Sequence, residues 1–239
     1  MGAKSVAEKL RVVLVRPEKP RNAGAVLRAA ANFGAESVWV AGDTQWDAEN
    51  LREVRVASSG AWDVVGGLRF VQTVAEAVKD CALVAGTTSR HRRNVPTPVS
   101  PREFMMSAGT HSGPTALLFG PESKGLAAAD LALCHATIRI STRASFPSLN
   151  LAQAVTVVLY EAALVRGGAD AKPNEKLASI GDQEEILAAL EAAVNSTGSP
   201  LPRNRELVLA QLRRMLQRSE PTEGDISLLR NLGKRLKKR

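Results

Sequence analysis

Three short polar segments, each following an apolar run, hold the residues best equipped for chemistry. In Arg16-Pro17-Glu18-Lys19-Pro20-Arg21-Asn22-Ala23-Gly24, Asn22 stands six residues before Arg28 across a loop-to-helix junction, a spacing that lets the two converge near the helix start. Backbone N–H groups at a helix start and a guanidinium together suit a phosphate. The same residues also read as a turn carrying solvated charges. In Leu117-Leu118-Phe119-Gly120-Pro121-Glu122-Ser123-Lys124-Gly125-Leu126, two glycines bracket one carboxylate. Glycine lets a backbone approach a flat or charged ligand closely, and Glu122 can accept hydrogen bonds from a ligand or from a side chain that it positions. A plain strand-to-helix turn accounts for this segment as well. The third segment runs from Ile138-Arg139-Ile140-Ser141 to Pro147-Ser148-Leu149-Asn150-Leu151, where Ser148 or Asn150 can simply cap the long apolar helix that follows.

The scaffold that must position these segments is legible in the runs around them. Val12 to Val15, Ser37 to Ala41, Ala82 to Gly86, Ala116 to Phe119 and Thr137 to Ile140 are largely apolar throughout, as strands buried on both faces of a parallel sheet are. Between them Ala25 to Phe33, Val74 to Val78 and Leu151 to Val165 carry helical patterns, and Thr73 with Glu76 predicts a capping box on the second. An α/β layered domain follows. In an open parallel sheet ligands bind off the strand ends, where the three polar segments lie. Common nucleotide sites are excluded. No two glycines stand at i and i+2, so GxGxxG cannot occur. Gly120 to Gly125 has the glycine spacing of a phosphate loop but continues Leu126-Ala127, where Lys and then Ser or Thr are needed, which excludes a nucleotide hydrolase of that kind. There is no GxSxG for a hydrolase serine either.

With 239 residues, 44% of them hydrophobic, the chain suffices for one substantial core and a small appendage. A turn-rich polar stretch, Gly167 to Asn174, is followed only by helical patterns at Gln183 to Val194, Glu206 to Gln217 and Ile226 to Lys237. The expected division is an α/β domain over 1–166, a linker over 167–181 and a helical extension over 182–239. Lys and Arg number 32 against 24 Asp and Glu, and the net charge of +8 favours a polyanionic partner. The excess is densest at the end, where Arg230, Lys234, Arg235, Lys237, Lys238 and Arg239 follow Ile226 without any acid. The helix dipole accounts for about one or two of these cations; the rest suit RNA phosphates. Cys81 and Cys134 form no CxxC pair, and His91, His111 and His135 lack ligand spacing, so neither a disulfide nor a metal site is expected. Free thiols and the lack of a signal-like or membrane-length apolar run predict a cytoplasmic protein.

Taken together in order and spacing, Asn22–Gly24–Arg28–Asn32–Phe33–Gly34, Phe119-Gly120-x-Glu122-x-x-Gly125-Leu126 and Ser148-Leu149-Asn150 resemble the three motifs of SPOUT (TrmH-like) RNA 2′-O-methyltransferases, over residues 11 to 166. Within that family, Ser148 to Val155, Thr88-Ser89-Arg90-His91-Arg92-Arg93 with Pro96 and Pro101-Arg102-Glu103, and a C-terminal helical extension resemble the TrmJ branch of tRNA (cytidine/uridine-2′-O-)-methyltransferases. The resemblance implies a SPOUT α/β knot, a deep trefoil within a parallel sheet, with S-adenosylmethionine bound in it and no metal. It also implies a homodimer whose active sites draw on both subunits. Arg28 would hold the target phosphate and assist deprotonation, Asn22 and Glu122 would orient that machinery, and Ser148 and Asn150 would position the nucleotide. Cofactor contacts map to Thr88, Ser89, Arg90, Gly120, Ile140, Ser148 and Leu149, mostly through backbone groups. RNA contacts are expected at Arg21, Arg28, Arg93, Arg230, Lys234, Arg235, Lys237 and Lys238. The implied substrate is tRNA, at the cytidine or uridine that opens the anticodon loop. Ribosomal RNA, another tRNA position, or non-catalytic RNA binding are the alternatives. The dimer interface is expected on the first and last helices of the α/β domain, through Leu151, Val155, Val158 and Leu159, which are apolar on more than one face.

Overall fold

The computed structural model describes residues 6–89, 96, 98–111, 113–165, 176–196 and 205–236. Among these, β1 (Leu10–Val15), β2 (Ser37–Ala41), β3 (Leu68–Val71), β4 (Leu83–Thr87), β5 (Pro98–Val99), β6 (Thr115–Phe119) and β7 (Ala136–Ile138) form one parallel sheet in the order β3-β2-β1-β6-β4-β7-β5. Helices α1 (Pro20–Phe33), α2 (Ala48–Ser58), α3 (Ala61–Val65), α4 (Val74–Val78), α5 (Pro101–Gly109), α6 (Ala128–Leu131) and α7 (Leu151–Leu164) are interleaved with the strands. Three more follow, α8 (Ile180–Ser196), α9 (Arg205–Ser219) and α10 (Glu223–Leu236).

β1 and β6 are buried at every position, as strands covered on both faces must be. Their side chains divide between two apolar layers. Val12, Leu14, Leu117 and Phe119 pack with α1 and α7, and Val13, Val15 and Leu118 pack with α4 and α6. Val12 stands opposite both Val38 and Leu117, so the register places the ends of β1 and β6 side by side. The loops after those two strands therefore emerge together at one edge.

All five strands expected from apolar runs are present, with ends shifted by two residues at most. β3 and β5 are additional edge strands: β3 is half open to solvent, and β5 is two residues long and begins with a proline that only an edge tolerates. The first helix starts at Pro20 and not at Ala25, because proline at the first helical position has its φ preset and no needed N–H to lose. That shift corrects the expected convergence of Asn22 and Arg28 at the helix start. Asn22 lies in the first turn, and Arg28 lies six residues further, about 9 Å along the axis. Thr73 Oγ1 accepts from the Glu76 N–H at 3.1 Å, but Glu76 returns to the Gln72 N–H at 3.2 Å, so the expected box closes one residue early. Leu151, Val155, Val158 and Leu159 are buried inside the protomer and cannot form the dimer interface expected of them. The outer face of α7 instead carries Val157, Tyr160 and Leu164.

The three C-terminal helices are tied to the sheet. The Ile180 and Gly181 N–H groups donate to the Cys81 and Lys79 carbonyls at 3.1 and 2.9 Å, and Gln217 donates to the Ala132 carbonyl at 2.7 Å. A bridge between Leu177 and Thr222 and a small apolar cluster of Ala178, Ile186 and Ile226 hold α8 and α10 together. Residues 177–181, at the end of the expected linker, thus belong to a hydrogen-bonded junction. No helix among the described residues is long and apolar enough to cross a membrane.

Candidate functional site

The loops after β4, β6 and β7 gather at one edge of the sheet and border a cleft of about 1010 Å³, counting its open mouth. Thr88, Ser89, Gly120, Ile140, Ser148 and Leu149, the mapped cofactor residues that lie within the described chain, all line it. Arg90 lies outside the described residues. Leu126, Ile138 and Pro147 of the same segments line it too, as do Thr87 and Leu131, which the sequence does not single out. The wall is apolar on one side, from Leu126, Leu131, Ile138 and Leu151, and elsewhere offers the main chain of the 120–125 and 147–149 loops. Gly120 is required there by contact: a Cβ would lie 2.2 Å from the Leu126 nitrogen and 2.3 Å from the Gly125 carbonyl carbon. An apolar slot edged by backbone groups fits an adenosine, and the glycine loop leaves room for a ligand against the main chain. These residues fit S-adenosylmethionine.

Beside the cleft, the three candidate polar segments meet through side chains. Asn150 caps α7, its Oδ1 accepting from the Ala152 and Gln153 N–H groups at 2.9 and 3.4 Å. Its Nδ2 is still free to donate to Asn22 Oδ1 at 3.1 Å. Asn22 Nδ2 in turn donates to Glu122 Oε1 at 2.6 Å, and Glu122 Oε2 accepts the Glu18 backbone N–H at 2.9 Å. Asn150 therefore both caps α7 and bonds across to Asn22. Glu18 extends the chain by accepting from the Ser123 hydroxyl, which pins the β1 and β6 loops to each other. Neither role was expected: the Glu18 N–H is a backbone donor that leaves no trace in residue type, and the Ser123–Glu18 bond joins side chains 105 positions apart. Arg16 braces the same corner through Asp130, and it does so from a left-handed backbone conformation, φ 48°.

α1 is held where Asn22 can reach by its close approach to α2. A Cβ on Gly24 would stand 2.5 Å from the Val54 carbonyl oxygen and 2.6 Å from Ala57 Cβ. Arg28 points elsewhere: it is exposed, shares the outer face of α1 with Arg21 and Asn32, and is absent from the cleft lining of its own protomer. Of the other expected RNA contacts, Arg21 pairs with Glu53 at 2.8 Å and Arg230 with Glu185 and Asp182 at 3.0 and 3.5 Å, while Lys234 is exposed. Arg93, Lys237, Lys238 and the Arg235 side chain lie outside the described residues.

Burial perturbs groups away from the cleft as well. His135 is buried where the C-terminal helices dock. Its Nδ1 accepts the Val84 N–H at 3.0 Å, and burial pushes its pKa down to about 4. Burial pushes the Cys81 thiol up to about 12, so it is no nucleophile.

Comparison with known proteins agrees with this geometry. Residues 9–160 match the model of the SpoU rRNA Methylase family. Over 237 residues, covering 94% of each chain, the sequence is 32% identical to the tRNA (cytidine/uridine-2′-O-)-methyltransferase TrmJ of Cronobacter sakazakii. The fold is similar to the crystal structure of TrmJ from Z. mobilis ZM4, with a TM-score of 0.82 and 31% identity over 95% of this chain and 98% of that one. It is also similar to an AdoMet-bound rRNA methyltransferase from Sinorhizobium meliloti, with a TM-score of 0.52 and 27% identity over 68% of this chain and 57% of the other.

Proposed function

The chain belongs to the SpoU rRNA methylase family, and we propose that it is an S-adenosylmethionine-dependent tRNA 2′-O-methyltransferase acting on the cytidine or uridine that opens the anticodon loop. The observation that carries this reading is the Asn150–Asn22–Glu122 chain, which joins three loops beside a cleft lined by the mapped cofactor residues. The relatives named for tRNA support the substrate. The net charge of +8 supports a polyanion, and the reading places the protein in the cytoplasm. Residues 1–166 would carry the chemistry in a knotted domain, 167–181 would link, and 182–239 would help hold tRNA.

When bound, S-adenosylmethionine supplies an electrophilic sulfonium methyl. The protein's part is to hold a ribose hydroxyl in line with it and to relieve that hydroxyl of its proton. Both Glu122 oxygens are occupied by N–H donors, so Glu122 orients Asn22 and does not take the proton. Ser148, exposed at the cleft mouth, and the Asn22–Asn150 pair face the nucleotide. A guanidinium has donors only, which suits Arg28 to the target phosphate and the developing oxyanion. Because Arg28 does not line the cleft of its own protomer, it would serve the site of a second copy, with α1 and the exposed Val157, Tyr160 and Leu164 of α7 forming the contact.

The test combines mapping and complementation. Ribose methylation of cellular tRNA should disappear at one position when the protein is removed. Arg28→Ala should abolish transfer while leaving cofactor affinity, measured by calorimetry, nearly unchanged. Co-folding Arg28→Ala with Asn150→Ala, each inactive alone, should restore about a quarter of the parent activity if sites are shared between two subunits. Activity of Arg28→Ala within a few-fold of the parent would remove it from the site, and no recovery on mixing would remove the shared site.

A further inference from the structure

Aromatic residues make up only 4% of this chain, and nearly all of them are engaged. Trp46 meets Phe70 and Phe33 meets Tyr160 edge to face. Trp39 lies between Arg11 and Arg69, Trp62 lies under Arg55, and Phe104 and Phe119 are buried. Phe146 differs. Its side chain is 75% exposed, more than any other large apolar residue described, with no ring or cation partner among the described residues.

Phe146 is nonetheless built into place. Its N–H donates to the Arg143 carbonyl at 3.0 Å, Thr142 Oγ1 donates to the Pro147 carbonyl at 3.2 Å, and Pro147 restricts the backbone of the residue before it. Pro147, Ser148 and Leu149 line the cleft, and Asn150 is bonded to Asn22. Phe146 is four residues from Asn150, so the ring's backbone lies at most about 14 Å from that end of the Asn22–Asn150 pair.

Resting on the methyltransferase reading above, we propose that Phe146 is the stacking platform for the base of the nucleotide whose ribose is methylated. An apolar interface with a second copy would need a continuous apolar face such as the one on α7. Phe146 stands instead beside Thr142, Arg143, Ala144 and Ser145, all exposed. An exposed π face and a guanidinium three residues apart on one short loop match a nucleotide, base on the ring and phosphate at Arg143. Stacking tolerates any base, which suits a site that takes either pyrimidine.

The test uses the full-length protein, unmodified tRNA transcripts and S-adenosylmethionine, with Phe146→Ala, Phe146→Leu and Phe146→Trp. Loss of the ring should raise KM for tRNA about 10- to 100-fold with kcat, cofactor affinity and oligomeric state unchanged, and Phe146→Trp should stay within a few-fold of the parent. On a transcript made abasic at the mapped target, parent and Phe146→Ala should become equal. Stacking is overturned if Phe146→Leu matches the parent, if the alanine defect persists on the abasic transcript, or if the variant loses cofactor binding or dissociates. A parent protein inert on every tRNA would instead overturn the substrate reading, and this inference with it.

Discussion

Glu122 accepts two N–H donors at once, from Asn22 at 2.6 Å and from the Glu18 backbone at 2.9 Å. Glutamine has the same shape but must turn an NH2 toward one of them, which costs about 1–3 kcal/mol. Glu122→Gln should therefore lower kcat about 10- to 100-fold with little change in cofactor affinity by calorimetry; an unchanged kcat would remove Glu122 from the orienting chain. His135 sets a different dependence. Its folded pKa of about 4 lies below the usual 6.5, so the unfolded chain binds the proton more readily. The stability this contributes is complete above about pH 6.5 and is lost as pH falls toward 4, by about 3 kcal/mol. Asp80, held below the usual carboxylate range by its hydrogen bond to Arg11, erodes stability at still lower pH. Chemical denaturation from pH 7 to 4 should show that decline and His135→Gln should flatten it; an unaltered slope would mean that other groups carry it. Asn22, Glu122 and Asn150 were legible from motif spacing. His135 was not, because burial between a sheet and a distant helix has no local signature.

At the scale of elements, the continuous apolar runs announced the buried strands, since only strands covered on both faces lack polar alternation. β3 carries Arg69 at a sheet edge and β5 has two residues, too little pattern to read. Pro20 reads as loop by sequence but is the first residue of α1, and that reading puts Asn22 in a loop when it belongs to the helix. Gly24 read as part of a motif, and the structure supplies its reason in the contact of α1 with α2. Two effects compete in Gly24→Ala. Alanine raises helix propensity by up to about 1 kcal/mol. Its Cβ would meet Val54 oxygen at 2.5 Å, and backbone cannot yield cheaply. Overpacking of this kind costs about 1–3 kcal/mol, so net destabilisation by denaturant titration is expected. kcat should fall with it, because Asn22 rides on the same turn. A stabilised, fully active variant would show that α2 gives way freely.

At the scale of the whole molecule, the C-terminal helices combine docking with charge. Arg230 is taken by Glu185 and Asp182 of α8, so one of the cations expected to reach RNA is held within the extension. Ile226 is 2% exposed in the cluster that joins α8 and α10, and cutting the chain ahead of it would dismantle the extension along with its charge. Substitution separates the two. Lys234 lies on the exposed side of α10, and Lys237 and Lys238 follow it in sequence. If all three reach phosphates, replacing them with alanine should flatten the dependence of log tRNA affinity on log salt by about 2 to 3 units, each contact contributing about 0.7 to 0.9. Thermal stability and cofactor binding should hold, because every residue lining the cleft lies at or before Ala154. An unchanged salt slope with weakened stability would give the tail a folding role and leave tRNA docking to the α/β domain alone.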